Sequence, residues 1–135
     1  MIHVVAIITA KSGMREAILK EFHANMPAVH AEKGCIEYGP AVDAEGIGGF
    51  QAKFGPDTFV VIEKWESPDA LKAHATSPHM SAYAAKTRDL IASRVIHVLS
   101  PGCCSSGLDG SATTARMVSG IAISCGRAGL ALNRD

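Results

Sequence analysis

Residues 58–66 read TFVVIEKWE, and this stretch gives the clearest strand pattern in the sequence. Successive side chains of a strand point to opposite faces, so bulky residues at every second position favour a strand with one buried face. The residues that share this predicted face are Phe59, Val61, Glu63 and Trp65. A carboxylate and the only tryptophan of the chain are therefore expected to point in the same direction.

The sequence before this strand predicts two further strands and one helix. Residues 2–10 are almost continuously apolar and β-branched, which favours a strand. Apolar residues then recur every four positions, as in an amphipathic helix; Ser12 is the expected cap, Pro27 the expected kink and Gly34 the expected end. Residues 35–42 predict a strand with three side chains on one face, Ile36, Tyr38 and Val42.

The sequence after this strand predicts two helices and a final strand. Each of the Ser-Pro pairs at 67–68 and 77–78 combines an N-cap hydroxyl with a proline suited to the first helical position. The predicted helices cover residues 68–75 and 78–92, and the last strand covers 95–99. The resulting β-α-β-β-α(α)-β order predicts the ferredoxin-like (split βαβ) arrangement, an α+β fold with a four-stranded antiparallel sheet and helices on one face.

The composition narrows the classes of partner. The 135 residues are 47% hydrophobic and 19% charged, which suits one domain, and 13 Lys and Arg balance 13 Asp and Glu. A broad basic surface for nucleic acid or an anionic membrane is therefore not expected. The sequence shows neither a membrane-spanning apolar run nor a signal-peptide pattern, so we expect a cytoplasmic protein. The runs VVAII and FVVI put apolar residues on both faces of the sheet, which predicts a homodimer.

Composition changes near residue 100. Residues 1–100 hold every aromatic, histidine, lysine and glutamate, whereas residues 101–135 are rich in glycine. We expect 1–100 to form the domain and 101–135 to be an extension without a catalytic role, in which 117–123 pairs as an edge strand. The four cysteines form no CxxC pair, which argues against a zinc frame or a disulfide scaffold.

A motif with a known counterpart lies in residues 63–80, EKWESPDALKAHATSPHM. An E-x-W pattern is followed by A-H-x-x-S-x-H, and the residues that carry the two patterns are Glu63, Trp65, Ala73, His74, Ser77 and His79. With the turn at 11–13 and the strand entry at 34–38, this stretch resembles the antibiotic biosynthesis monooxygenase (ABM) family, which includes cofactor-free quinol monooxygenases. The likeness covers about residues 2–100.

The resemblance implies a dimeric α+β barrel with one pocket per subunit between the helices and the sheet. It implies oxidation of an electron-rich phenol or hydroquinone by dioxygen, without a flavin or a metal. An ionised hydroquinone can itself give an electron to dioxygen, so the protein needs only a base and an apolar box.

Within that scheme seven residues receive candidate roles. An imidazole titrates closest to neutral pH, so His74 is the candidate base, and Glu63 would orient it or receive its proton. Trp65 would form an aromatic wall of the pocket. The candidate substrate-binding residues are Tyr83, His79, Tyr38 and Phe59.

Purely structural roles for the same residues remain alternatives. Trp65 also suits a core anchor, His74 also suits a bond to a carbonyl group or to the end of a helix, and His79 also suits solvent. A buried Glu63 needs a partner, and we expect that partner to be His74 or a basic side chain. No metal site is predicted, because a proline separates the two histidines and the sequence shows no third ligand.

Two other functions compete with cofactor-free oxidation. Haem-degrading relatives are expected to carry a polar asparagine in the first strand, whereas this strand offers only His3 and Thr9. A non-catalytic dimeric module that binds a small hydrophobe or serves in stress response would show the same pocket without turnover. Oxygen uptake with quinols distinguishes the two classes.

Overall fold

A computed structural model describes residues 1–102 of the chain, and its elements follow the order predicted for a ferredoxin-like fold. The strands are β1 (Ile2–Ala10), β2 (Cys35–Ala41), β3 (Thr58–Trp65) and β4 (Ile91–Leu99), and the helices are α1 (Arg15–His30), α2 (Pro68–Ala75) and α3 (Pro78–Thr87). The strands form one antiparallel sheet in the order β2-β3-β1-β4, which confirms the α+β prediction. The predicted edge strand at 117–123, and all but the first two residues of the predicted extension, lie outside the described residues.

The alternation predicted for β3 determines which of its side chains lie on each side of the sheet. Phe59, Val61, Glu63 and Trp65 are buried beneath the helices, whereas Ile62 points to the other side and is exposed. Strand β1 repeats the pattern with Val4, Ala6, Ile8 and Ala10 in the core. None of the helices in residues 1–102 has the length and apolar character needed to cross a membrane.

Helix α1 differs from the prediction at both ends. It begins at Arg15 with Met14 in the N-cap position, so the expected cap at Ser12 is wrong. The chain turns first at Gly13, whose φ is +74° and whose N–H donates to Asp57 Oδ1 over 2.9 Å. The helix ends at His30, four residues before Gly34.

Gly34 instead allows a close approach between two elements. Its φ is +85°, and a Cβ at this position would lie 2.7 Å from Ala70 Cβ on α2. Its carbonyl also accepts a hydrogen bond of 2.8 Å from the N–H of Glu66, just after β3. The missing side chain therefore brings α2 close to the start of β2.

The prediction that Ile36, Tyr38 and Val42 share one face of β2 is also wrong. The pairing with β3 shifts by one residue between Cys35 and Glu37, as in a β-bulge. Ile36 is exposed as a result, Tyr38 is buried, and Val42 lies beyond the strand and is exposed.

The two Ser-Pro pairs begin helices as predicted, but their serines act differently. Ser67 accepts a hydrogen bond from the N–H of Ala70, which is the predicted cap. Ser77 makes no such bond, and its hydroxyl lies 3.2 Å from His79 Nε2. Helix α3 ends at Thr87 instead of residue 92, because a short 3₁₀ turn leads into β4 at Ile91, which pairs with β1.

Candidate active site

A cavity of about 710 Å³ lies between the helix-covered side of the sheet and α3. Apolar side chains supply much of its lining, including Ile8, Phe22, Val61, Met80, Ile91 and Ile96. Among the lining residues, the charged side chains are Glu63, Arg88 and Arg94. Three of the seven predicted site residues line this cavity, namely Glu63, Tyr38 and Tyr83.

Glu63 brings a carboxylate to this cavity from the middle of β3. The residue is only 7% exposed, and the indole N–H of Trp65 donates a hydrogen bond of 2.7 Å to its Oε2 atom. The two side chains meet because residues two apart share a face of a strand. Burial raises the pKa of Glu63, and the Trp65 hydrogen bond and then the charge of His74 act in the opposite direction.

Trp65 lies behind the carboxylate and does not line the cavity. It is fully buried, and its ring packs against that of His74 with 4.6 Å between centroids and 36° between planes. The structure therefore brings Glu63, Trp65 and His74 together, with the carboxylate at the cavity and the two rings behind it. Phe59 is likewise buried and lies outside the lining.

His74 pairs with a carboxylate that the sequence analysis missed. Its Nδ1 atom lies 2.9 Å from Oε1 of Glu32, which follows the end of α1. The expected pairing of Glu63 with His74 or a basic side chain is therefore wrong, because the carboxylate of Glu63 is bonded to Trp65 instead. Glu32 belongs to no apolar repeat or motif, so no local signal identified it.

His79 bonds to the same carboxylate oxygen. Its Nε2 atom lies 2.5 Å from Glu32 Oε1, and the side chain is 28% exposed. It contributes to a separate, smaller cavity of about 120 Å³ beside α3, together with Glu21, Asn25 and Lys86. The side chain of His79 does not line the main cavity. Its substrate-binding role remains a prediction.

The two tyrosines are phenol groups at the cavity wall. Tyr38 stacks on Phe22 with 4.9 Å between ring centroids. Burial, followed by the charge of Glu63, raises the pKa of Tyr38 far above its usual range, and burial raises the pKa of Tyr83 to about 12. Both hydroxyls therefore stay protonated at neutral pH and are available as hydrogen-bond donors.

This arrangement can bind a flat apolar molecule and take a proton from it. A buried carboxylate with a raised pKa is a stronger base than an ordinary surface carboxylate. The largely apolar lining suits a hydrophobic ring, while phenol and guanidinium groups at the same cavity can stabilise negative charge on a bound oxygen atom.

Comparisons with known proteins agree with this architecture. Residues 1–86 match the family described as antibiotic biosynthesis monooxygenase. The probable quinol monooxygenase YgiN of Escherichia coli (strain K12) is 38% identical over 104 residues, which cover 76% of this chain and 99% of that protein.

Solved structures show the same fold. The crystal structure of PA3566 from Pseudomonas aeruginosa superposes with a TM-score of 0.63 at 25% identity, covering 76% of this chain and 94% of that one. The structure of Rv0793 from Mycobacterium tuberculosis gives a TM-score of 0.62 at 26% identity, covering 78% and 98%.

Proposed function

The chain belongs to the antibiotic biosynthesis monooxygenase family, and on that premise we propose that it oxidises a small, electron-rich aromatic of the quinol class with dioxygen. The similarity to the Escherichia coli protein, a probable quinol monooxygenase, supports this substrate class. The cavity volume of about 710 Å³ also lies within the range of roughly 300–1,000 Å³ that is common for small-molecule sites.

The observation that carries the proposal is the buried carboxylate of Glu63 in a largely apolar cavity. A hydroquinone O–H placed against this carboxylate gives up its proton, and the resulting quinolate transfers an electron to dioxygen far more readily than the neutral quinol. In the net reaction, hydroquinone and dioxygen yield a hydroxyquinone and water. The ring supplies all four electrons, so we propose that neither a flavin nor a metal takes part in this oxidation.

The geometry favours Glu63 over His74 as the first proton acceptor. Glu63 lines the cavity, whereas His74 lies behind it against the Trp65 ring. We therefore assign proton removal to Glu63. His74 and Trp65 act as positioning residues in this scheme, because His74 supports the indole and the indole N–H orients the carboxylate.

We also propose that the active form is a homodimer. The side of the sheet that the helices leave open carries apolar side chains, including the exposed Ile62, Val95 and Leu99. Contiguous apolar patches of this kind commonly mark an interaction surface. The resemblance to the family implies a dimeric α+β barrel, which favours a second copy of the chain as the occupant.

Oxygen consumption tests the proposed reaction. The full chain is mixed with a panel of benzo- and naphthohydroquinones in an oxygen electrode, and the products are analysed after reaction under ¹⁸O₂. We expect one labelled oxygen atom in the quinone product and a loss of at least about 100-fold in kcat for Glu63→Gln, since general bases contribute roughly 10²–10⁴-fold.

Glu45→Gln is the matched control, because it removes the same charge from an exposed residue outside the cavity lining. This variant should retain the wild-type rate. Quinol binding without oxygen consumption would instead support the non-catalytic binding module, and an equal rate in Glu63→Gln would refute the assignment of the base.

A further inference from the structure

Three potential metal ligands meet outside the main cavity. Glu32 follows α1, His74 lies on α2, and His79 lies at the start of α3. One potential ligand atom from each residue lies within 4.8 Å of the other two. Glu32 Oε1 is 2.9 Å from His74 Nδ1 and 2.5 Å from His79 Nε2. Three separate segments of the chain thus place one carboxylate and two imidazoles within reach of a single ion.

The donor set suits a divalent transition metal. Imidazole nitrogen and carboxylate oxygen are ordinary ligands of Zn²⁺ and its analogue Co²⁺, and two histidines with one carboxylate form a common three-ligand set that leaves positions for water. Within residues 1–102, the carboxylate of Glu32 pairs with these two imidazoles, so no lysine or arginine needs to be displaced.

The site is rigid on one side and adaptable on the other. His74 is buried, with its ring packed against Trp65 at 4.6 Å and Tyr38 at 5.5 Å between centroids. Glu32 and His79 retain 14% and 28% side-chain exposure. A metal about 2.0–2.2 Å from each ligand atom needs the carboxylate to draw back slightly from both imidazoles, and these partly exposed side chains can make that shift. The same exposure provides a path for the ion to enter.

We propose that Glu32, His74 and His79 bind one divalent transition-metal ion per chain. This site goes beyond the proposed oxidation, because its ligands do not line the 710 Å³ cavity and the quinol chemistry does not use the ion. Its occupancy acts on the active site only indirectly. The metal would fix the His74 ring, on which Trp65 packs, and Trp65 holds the Glu63 carboxylate.

A Co²⁺ titration of the full-length chain, freed of metal with a chelator, tests the proposal. Visible absorption reports Co²⁺ coordination, and fluorescence of Trp65, the only tryptophan, reports an ion bound next to its ring. We expect one saturable site per chain, with quenching of Trp65 that follows the same binding curve as the absorption.

His79→Ala and Glu32→Gln remove ligands at the partly exposed side of the cluster, where the fold tolerates change best. Loss of a residue that only hydrogen-bonds to a metal ligand commonly weakens metal binding 10–100-fold, so loss of a ligand itself should weaken binding at least about tenfold in each variant. His23→Ala is the matched control, because His23 bonds to the carbonyl of Leu19 in its own helix and lies outside the cluster. It should bind Co²⁺ as the wild type does.

Two results would overturn the inference. One is an unchanged affinity in both His79→Ala and Glu32→Gln. The other is a thiolate-to-cobalt charge-transfer band without Trp65 quenching, which would place the ion on one of the cysteines, Cys35, Cys103, Cys104 or Cys125. Both readouts are independent of oxygen uptake, so they do not depend on whether the proposed reaction is confirmed.

Discussion

The indole N–H of Trp65 donates a hydrogen bond of 2.7 Å to the carboxylate of Glu63, two positions earlier on the same strand. Both residues are buried, so this bond satisfies a donor and an acceptor that would each be costly to leave unpaired. A single strand thereby presents a buried carboxylate to the cavity and carries the group that orients it. Opposing effects act on the pKa of that carboxylate, since burial raises it and the indole lowers it.

Trp65→Phe tests the role of the indole N–H. The substitution keeps an aromatic ring in the core but removes the donor, so the ionised form of Glu63 loses a stabilising contact and the pKa of Glu63 should rise further. We expect the acid limb of the pH profile of kcat/KM to move to higher pH. The free energy of unfolding should fall by about 1–3 kcal/mol, the usual cost of an unpaired buried group plus lost packing. An acid limb at the wild-type pH would show that the indole does not tune the carboxylate.

Glu63→Gln should move stability and activity in opposite directions. Burial raises the folded-state pKa of Glu63 above the ordinary 4.5, so the folded chain holds this proton more tightly than the unfolded chain does. The contribution of Glu63 to stability is therefore fully present below pH 4.5 and decreases as the pH rises through the folded-state pKa. Glutamine does not ionise, and its amide oxygen can still accept the Trp65 hydrogen bond.

Urea unfolding of Glu63→Gln and wild type at about pH 4 and about pH 7 measures this difference. The variant should gain stability relative to wild type at the higher pH while it loses turnover. Glu45→Gln, on an exposed loop, should show neither effect. A variant that is less stable than wild type by the same amount at both pH values would mean that burial of the ionised carboxylate carries no cost.

The fold follows from local patterns in the sequence, but the site follows only partly. Alternation along β3 is enough to place Glu63 beside Trp65, and the proline after Ser67 is enough to begin α2. The pairing of His74 with Glu32 joins residues 42 positions apart, so it depends on where α2 lies relative to the turn that follows α1. The bulge in β2 that exposes Ile36 depends in the same way on pairing between strands, which periodicity alone does not determine.

Gly34→Ala should destabilise the fold more than the same change at Gly13. Both glycines have positive φ, +85° and +74°, so an alanine is strained at either position. Only at Gly34 would the new Cβ also collide, lying 2.7 Å from Ala70 Cβ, whereas nothing lies within 4 Å of a Cβ at Gly13. We expect a loss of about 1–2 kcal/mol from strain at both sites and about 1–3 kcal/mol more from overpacking at Gly34.

Thermal and urea unfolding of the two variants measures this contrast. In the Gly34→Ala background, Ala70→Gly removes the colliding methyl group and should recover part of the overpacking loss, despite the cost of a helical glycine. Equal destabilisation at Gly13 and Gly34 would show that α2 moves away freely and that the close approach is not required by the fold.

Ile62→Asp tests the homodimer. Ile62 lies on β3 with its side chain on the open side of the sheet and is 41% exposed in the single chain. A charge at this position would be buried without a partner in a dimer that packs through the open side, so the variant should be a monomer at concentrations where the wild type is a dimer. Sedimentation velocity of the full-length chain distinguishes the two states.

Met14→Asp is the control, since Met14 is 39% exposed but precedes α1, where an acidic side chain suits the helix N-terminus. A monomeric wild type, or an Ile62→Asp variant that sediments as a dimer, would place the interface elsewhere or remove it.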